Sequence, residues 1–224
     1  MSETFITTLQ QVVDLEWINI KQGQFWSRVL EQPVSRSLYK KLMIEVYHYT
    51  KHNSINQAAA AFLGGPDSLL RFVYGHAADE LGHEKMALHD LRSVDLLNSQ
   101  DLQRSPLPAT EALIGYLYFV ALKYGPVARL GYSFWAENSY VHIDQIISKI
   151  RADLTLEDKN LSFFVAHGKI DLKHQEQVMR CLLEHAITDE HQNLVCTVAR
   201  TSLYLTGQML EQIAVSEKAA EAQG

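Results

Sequence analysis

The sequence predicts an all-α protein, a bundle of about seven helices forming one domain over residues 1–224. Three observations lead there. Apolar residues recur at helical rather than alternating spacing along the long segments. The breakers are few and well separated: Pro33, Gly64-Gly65-Pro66, Pro106 with Pro108, and Gly125-Pro126. No stretch holds the period-two alternation of a half-buried strand, and no internal repeat occurs.

Taken in order, residues 2–30 read as one long helix that Gly23 could interrupt. Ser35 or Ser37 caps a second helix reaching Phe62, since a hydroxyl there can accept from an unpaired N–H of the first turn. Asp67, after a proline, caps a third helix to about Leu97. The polar stretch 98–108 is a loop. Thr110 to Lys123 is a short apolar fourth helix, and Val127 to Leu154 a fifth. A sixth runs from Leu156 to Ala186. Thr188 or Asp189 caps a seventh ending near Val215, beyond which the Ala-rich tail frays.

A net charge of −6 leaves no basic footprint, which argues against nucleic acid and anionic membrane as partners. No run of apolar residues is long enough to span a bilayer, and residues 1–11 lack the basic-then-apolar order of a signal peptide. The two cysteines, Cys181 and Cys196, form no Cys-x-x-Cys pair, consistent with a reducing cytoplasm. Ten histidines are an excess that calls for a reason.

That reason is a metal. His167, Asp171 and His174 are spaced four and three apart, so at about 3.6 residues per turn they share one stripe of the sixth helix, beside Phe163, Phe164 and Ile170. Imidazole and carboxylate converging in an apolar setting suit iron, manganese or zinc; the bland alternative is two surface histidines around a solvated aspartate. On the third helix Glu80 and His83 have the Glu-x-x-His spacing of carboxylate-bridged metal bundles, with His76 a turn earlier. On the fifth, Glu137 lies among Phe134, Trp135 and Val141, where an unpaired carboxylate would cost several kcal/mol; it is metal-bound, paired with a base such as Arg129, or turned outward. On the second, Glu45, His48 and His52 share a stripe and could complete a second metal's shell or face a substrate, although Tyr47 and Tyr49 compete for the inward face. Two or three carboxylates with three or more histidines are too many for one tetrahedral zinc and suit two adjacent ions bridged by a carboxylate, iron first and manganese second.

Glu137, then His-x-x-x-Asp-x-x-His beginning at His167, with His83 upstream, resembles the heme-oxygenase-like di-iron oxidases and oxygenases, a group that includes CADD-type proteins within the wider TenA/PqqC superfamily. The Phe25-Trp26 pair and the Pro106–Pro108 loop extend the resemblance over nearly the whole chain. It implies a heme-oxygenase-like bundle with metal ligands at His83, Glu137, His167, Asp171 and His174. Glu80 matches the first carboxylate of some members and Glu45 a second-helix glutamate of others. Where some members carry a glutamate before the histidine at 83, this chain has His76. Implied with it are two iron ions, dioxygen and a small organic substrate, a pocket drawn from Tyr49, Tyr132, Trp135, Tyr140 and Phe164, and association as a homodimer. Arg71, Arg129 or Arg151 could hold a substrate carboxylate. The alternatives are a metal-free TenA- or PqqC-like enzyme and a CADD-like binding protein with a vestigial site. TenA chemistry needs a pocket cysteine, and both cysteines here look structural. Heme oxygenase itself is set aside because no histidine precedes His48.

Overall fold

The structure is a computed structural model that describes residues 2–222, with the side chains of residues 2, 3 and 169–172 outside the described set. The described residues form ten α-helices and three short 3-10 turns joined by loops. The count exceeds the expected seven because three of the expected helices are each broken once. The first divides into α1 (Ser2–Lys21) and α2 (Gln24–Glu31) at Gly23. There the Glu211 carboxylate, from the far end of the chain, accepts from the N–H groups of Gln24 and Phe25 at 3.0 and 3.1 Å and so caps α2.

Helix α3 (Arg36–Ala59) is capped by Ser35, whose Oγ accepts from Leu38 N at 2.9 Å. The expected third helix divides into α4 (Asp67–Asp79) and α5 (Glu84–Ser93). Gly82, at φ +96°, supplies a backbone turn that side-chain-bearing residues rarely adopt. Helix α6 (Pro108–Lys123) follows the loop, with proline in its first turn, where a missing N–H costs nothing. The expected fifth helix divides into α7 (Gly125–Ala136) and α8 (Tyr140–Leu154) across Glu137, Asn138 and Ser139. Helix α9 (Ser162–His185) starts later than expected, after a 3-10 turn over Asp158–Asn160. Helix α10 (Asp189–Glu221), capped by Thr188, runs past Val215 instead of fraying there.

The long α10 forms the spine, packing on α7, α1, α6 and α3. The α7–α10 crossing is close: a Cβ on Gly131 would lie 2.3 Å from Val195 O. Trp135 Nε1 donates to Ser202 Oγ at 2.8 Å across the same contact. On the other side α9 lies against α7, α5 and α4, and α3 lies against α4 and α5. Asp90, fully buried on α5, fixes where α9 begins. Its carboxylate accepts from Ser162 N at 2.8 Å, Ser162 Oγ at 2.6 Å and Phe163 N at 3.0 Å, satisfying the unpaired donors of that helix end. One continuous apolar core joins all these elements. Among the described residues no helix is long and apolar enough to cross a membrane.

Candidate metal centre

Two of the three helix breaks lie at the site. Glu80 ends α4 and Glu137 ends α7, so each carboxylate sits at the C-terminal, negative end of a helix, where the backbone field favours a cation. His83 lies just before the first residue of α5 and His76 within the last turn of α4. His174 and His167 come from α9.

The side chains form two groups. In the first, His76, Glu80, Glu137 and His174, all buried, bring donor atoms within 4.8 Å of one another; in the second, Glu80, His83 and His167 do the same. Glu80 belongs to both. Its two oxygens divide the work: Oε1 lies on the side of His174 Nδ1, 3.9 Å away, and Oε2 on the side of His83 Nδ1, 3.4 Å away. Glu137 Oε1 is 3.0 Å from His76 Nε2, and its Oε2 is 3.3 Å from His174 Nδ1.

Outer contacts orient the imidazoles. His174 Nε2 donates to Asp79 Oδ2 at 3.2 Å, leaving Nδ1 turned to the carboxylates. His167 Nδ1 donates to Phe163 O at 2.6 Å, which leaves Nε2 as its free donor atom. A second-ring N–H held by a carboxylate or carbonyl is the usual support of a metal-ligating histidine. Asn53 Nδ2 donates to Glu80 Oε2 at 2.8 Å.

The electrostatics follow from this packing. Burial alone would raise the Glu137 carboxyl, but the imidazoles of His174 and His76 outweigh it and hold it down to about 2. The Glu137 carboxylate lifts His174 to about 9 against the opposing effect of burial, with Asp79 and Glu80 adding. Burial likewise would raise Glu80, and the neighbouring His83 brings it below the usual range. His167 is lowered by burial. The donor set fits a metal: Nδ1 of His83 and Nδ1 of His174 each face a Glu80 oxygen, 3.4 and 3.9 Å away, and neither makes a hydrogen bond. A buried polar atom left without a partner is rare unless something else satisfies it.

Of the expected ligands, Glu80, His83, Glu137, His167 and His174 come together, and His76, expected only as an alternative, lies among them. The side chain of Asp171 lies outside the described residues. Glu45, expected as a ligand, lies apart from both groups: it is buried, and its Oε2 accepts from Leu107 N at 3.0 Å at the start of α6. His52 and His48, expected as alternative ligands, also lie outside both groups. His52 Nδ1 pairs with Tyr118 OH at 3.0 Å, and the His48 ring packs beside Tyr47. Arg129 is no open substrate anchor, because Asn53, Asn56 and Ser133 take up its guanidinium. Asp79 and Asn53 escaped sequence reasoning. Asp79 could have been suspected from its place beside Glu80, and Asn53 only from lying one turn after Tyr49.

Beside the second group is an inner cavity of about 100 Å³. Glu80, Glu137 and His167 lie on its polar wall with Asn53, and Tyr49, Tyr132, Trp135, Tyr140 and Phe164 are among its other lining residues. On the outer side, a cleft of about 550 Å³ between α4 and α9 reaches His76 and Asp79 and carries Arg71, Lys173 and Arg180. Cys181 lines this outer cleft rather than the inner cavity, and burial pushes its thiol up to about 11.

Together these features define an all-helical bundle with a buried histidine–carboxylate centre able to hold metal. A family model described as an iron-containing redox enzyme matches residues 40–207, and the chain belongs to that family. It is 40% identical to a domain of unknown function with a heme oxygenase-like fold from Shewanella denitrificans; the match covers 98% of this chain and 96% of that one, at a TM-score of 0.94. A CADD-like protein of unknown function from Nostoc punctiforme shares the fold at 14% identity and a TM-score of 0.75, over 96% of this chain and 98% of that one. So does a TenA homologue from Pyrococcus furiosus, at 13% identity and a TM-score of 0.72, over 94% and 99%. The fold is therefore heme-oxygenase-like, as the sequence resemblance implied. No curated protein matches the sequence.

Proposed function

We propose that this protein is a non-heme oxidase or oxygenase with a two-metal centre, iron in the first place and manganese or another divalent ion in the second, acting with dioxygen on a small organic substrate. One observation carries the reading: Glu80 is shared by two ligand groups and presents one oxygen to each. A single tetrahedral ion leaves such an arrangement unexplained, whereas carboxylate-bridged ions in helical bundles use it. The family's description as iron-containing favours iron. Paired reduced iron, when bound, supplies the electrons that activate dioxygen.

The chain's own residues supply the rest. Phe163 O and Asp79 fix the ring orientations of His167 and His174, so the second nitrogen of each ring is left for the centre. Tyr49, Tyr132, Trp135 and Phe164 pack around the inner cavity and limit the access of bulk water to the polar wall. The outer cleft, with Arg71, Lys173 and Arg180, offers a route for an anionic molecule towards His76. A homodimer completes the proposal. Its support is exposed apolar surface at Phe62, Leu63, Phe119 and Leu122, where the turn bearing Phe62 packs on α6.

A metal-free reading has one observation in its favour. His174 raised and Glu137 lowered can neutralise each other as an ion pair. That pairing leaves Nδ1 of His83, which faces Glu80, without a hydrogen bond. The test is anaerobic reconstitution with ferrous iron, followed by metal analysis and oxygen uptake. About two equivalents per chain, with oxygen consumed on exposure, is the expected result. The variant His167→Ala should fold yet fail to load fully. Substoichiometric binding by the unaltered chain without oxygen uptake would favour the metal-free reading.

A further inference from the structure

Arg129 is 2% exposed, at the centre of the bundle, and among the described residues it makes no ion pair. Its Nε donates to Asn56 Oδ1 at 2.9 Å, one Nη to Ser133 Oγ at 3.0 Å and the other to Asn53 Oδ1 at 2.8 Å. The Tyr132 ring lies under the guanidinium, 4.3 Å from ring centroid to Cζ. Burial pulls the group down to about 10, which leaves it charged at neutral pH. A buried cation whose direct hydrogen-bond partners are all neutral is expensive, and the return comes from the nearby Glu137 and Glu80 carboxylates.

The link to Glu80 runs through Asn53. Its Oδ1 accepts from Arg129 and its Nδ2 donates to Glu80 Oε2, both at 2.8 Å. An amide whose oxygen is held by a cation is polarised, and its N–H groups become stronger donors. The bond falls on Oε2, the Glu80 oxygen that faces His83, while Oε1 is left facing His174. Because an amide places its oxygen and nitrogen in fixed relation, the chain Arg129–Asn53–Glu80 fixes both the rotation of the carboxylate and the share of its charge drawn to one side.

We infer that Arg129, acting through the Asn53 amide, is a positioning residue that holds Glu80 in its bridging orientation and sets the affinity of the His83–His167 side for a divalent cation. The inference rests on the metal-centre reading above and goes beyond it by assigning Glu80's orientation to a buried positive charge. Asn56 gives an internal control, since it also accepts from Arg129 but passes its amide on to His52 O and does not touch Glu80.

The test titrates apo protein anaerobically with cobalt(II) and reads the visible absorption of the bound ion, with thermal unfolding of the apo chains in parallel. Asn53→Ala should weaken cobalt binding at the His83–His167 side about tenfold or more and alter the band shape. Asn56→Ala should lower stability and leave the cobalt affinity close to the original. Equal affinity in Asn53→Ala and the unaltered chain overturns the relay while leaving the metal centre intact. A loss in Asn56→Ala as large as in Asn53→Ala also overturns it, because the effect would then be general core damage. An unaltered chain that binds no cobalt overturns the relay and the metal reading together.

Discussion

His76 and Glu137, 61 positions apart, meet at 3.0 Å where the last turn of α4 faces the end of α7. This contact ties the breaks after α4 and α7 together and brings His76, which the spacing offers only as an alternative ligand, into the first ligand group. The sequence spacing that singled out His48 on α3 leads elsewhere, to a ring beside Tyr47.

The pair of histidines gives a contrasting prediction. His76→Ala removes a partner of Glu137 and should reduce divalent-metal affinity about tenfold or more. His48→Ala should leave it unchanged. Isothermal titration of both apo variants checks this, and equal affinities for the two would remove His76 from the centre.

Helix α9 depends on Asp90 for its start, since that carboxylate holds three donors of the first turn. Asp90→Ala should cost about 1–3 kcal/mol in urea unfolding, the combined scale of a lost cap and unsatisfied buried donors. Asp90→Asn, which keeps one acceptor, should recover part of that loss. Metal affinity should fall in both, because His167 and His174 ride on this helix.

Gly131 lets α7 approach α10 closely enough to seat Arg129 and Glu137. With Val195 O only 2.3 Å from a built Cβ, Gly131→Ala must push the helices apart. The expected cost is about 1–3 kcal/mol, measured by denaturant unfolding. An unchanged midpoint would mean the crossing is looser than described.

Acid sensitivity should arise in part at Glu217. Burial would raise this carboxyl, but bonds from Ser35, Lys41 and Ser37 outweigh it and bring it below the usual range. With the folded value depressed, the contribution is complete above the unfolded value of about 4.3 and is lost as pH falls through the lower folded value. Glu217→Gln should therefore flatten stability against pH in that acid window while lowering stability at neutral pH. A parallel slope in the variant would assign the acid loss to other carboxylates.

Much of the centre was legible in the sequence for a physical reason. Glu80, His83, Glu137, His167 and His174 each sit among apolar neighbours at helical spacing, and a charged group on such a face must meet a partner. The breaks at Glu80–His83 and Glu137–Ser139 were not legible, because the apolar pattern continues across both and only Gly82 hints at the first turn. Glu45 misled because it is buried like a ligand, yet its partner is a backbone N–H of Leu107, 62 positions away. The Asn53–Arg129 bond spans 76 positions and links residue types with no periodic signature, so it emerges only from the fold.

The most direct test is a crystal of the protein grown anaerobically with ferrous or manganous ion, measured for anomalous scattering. Two peaks about 3.5–4 Å apart are expected, one bounded by His76, Glu137 and His174, the other by His83 and His167, with Glu80 between them. A single peak, or peaks away from Glu80, would contradict the shared-carboxylate centre.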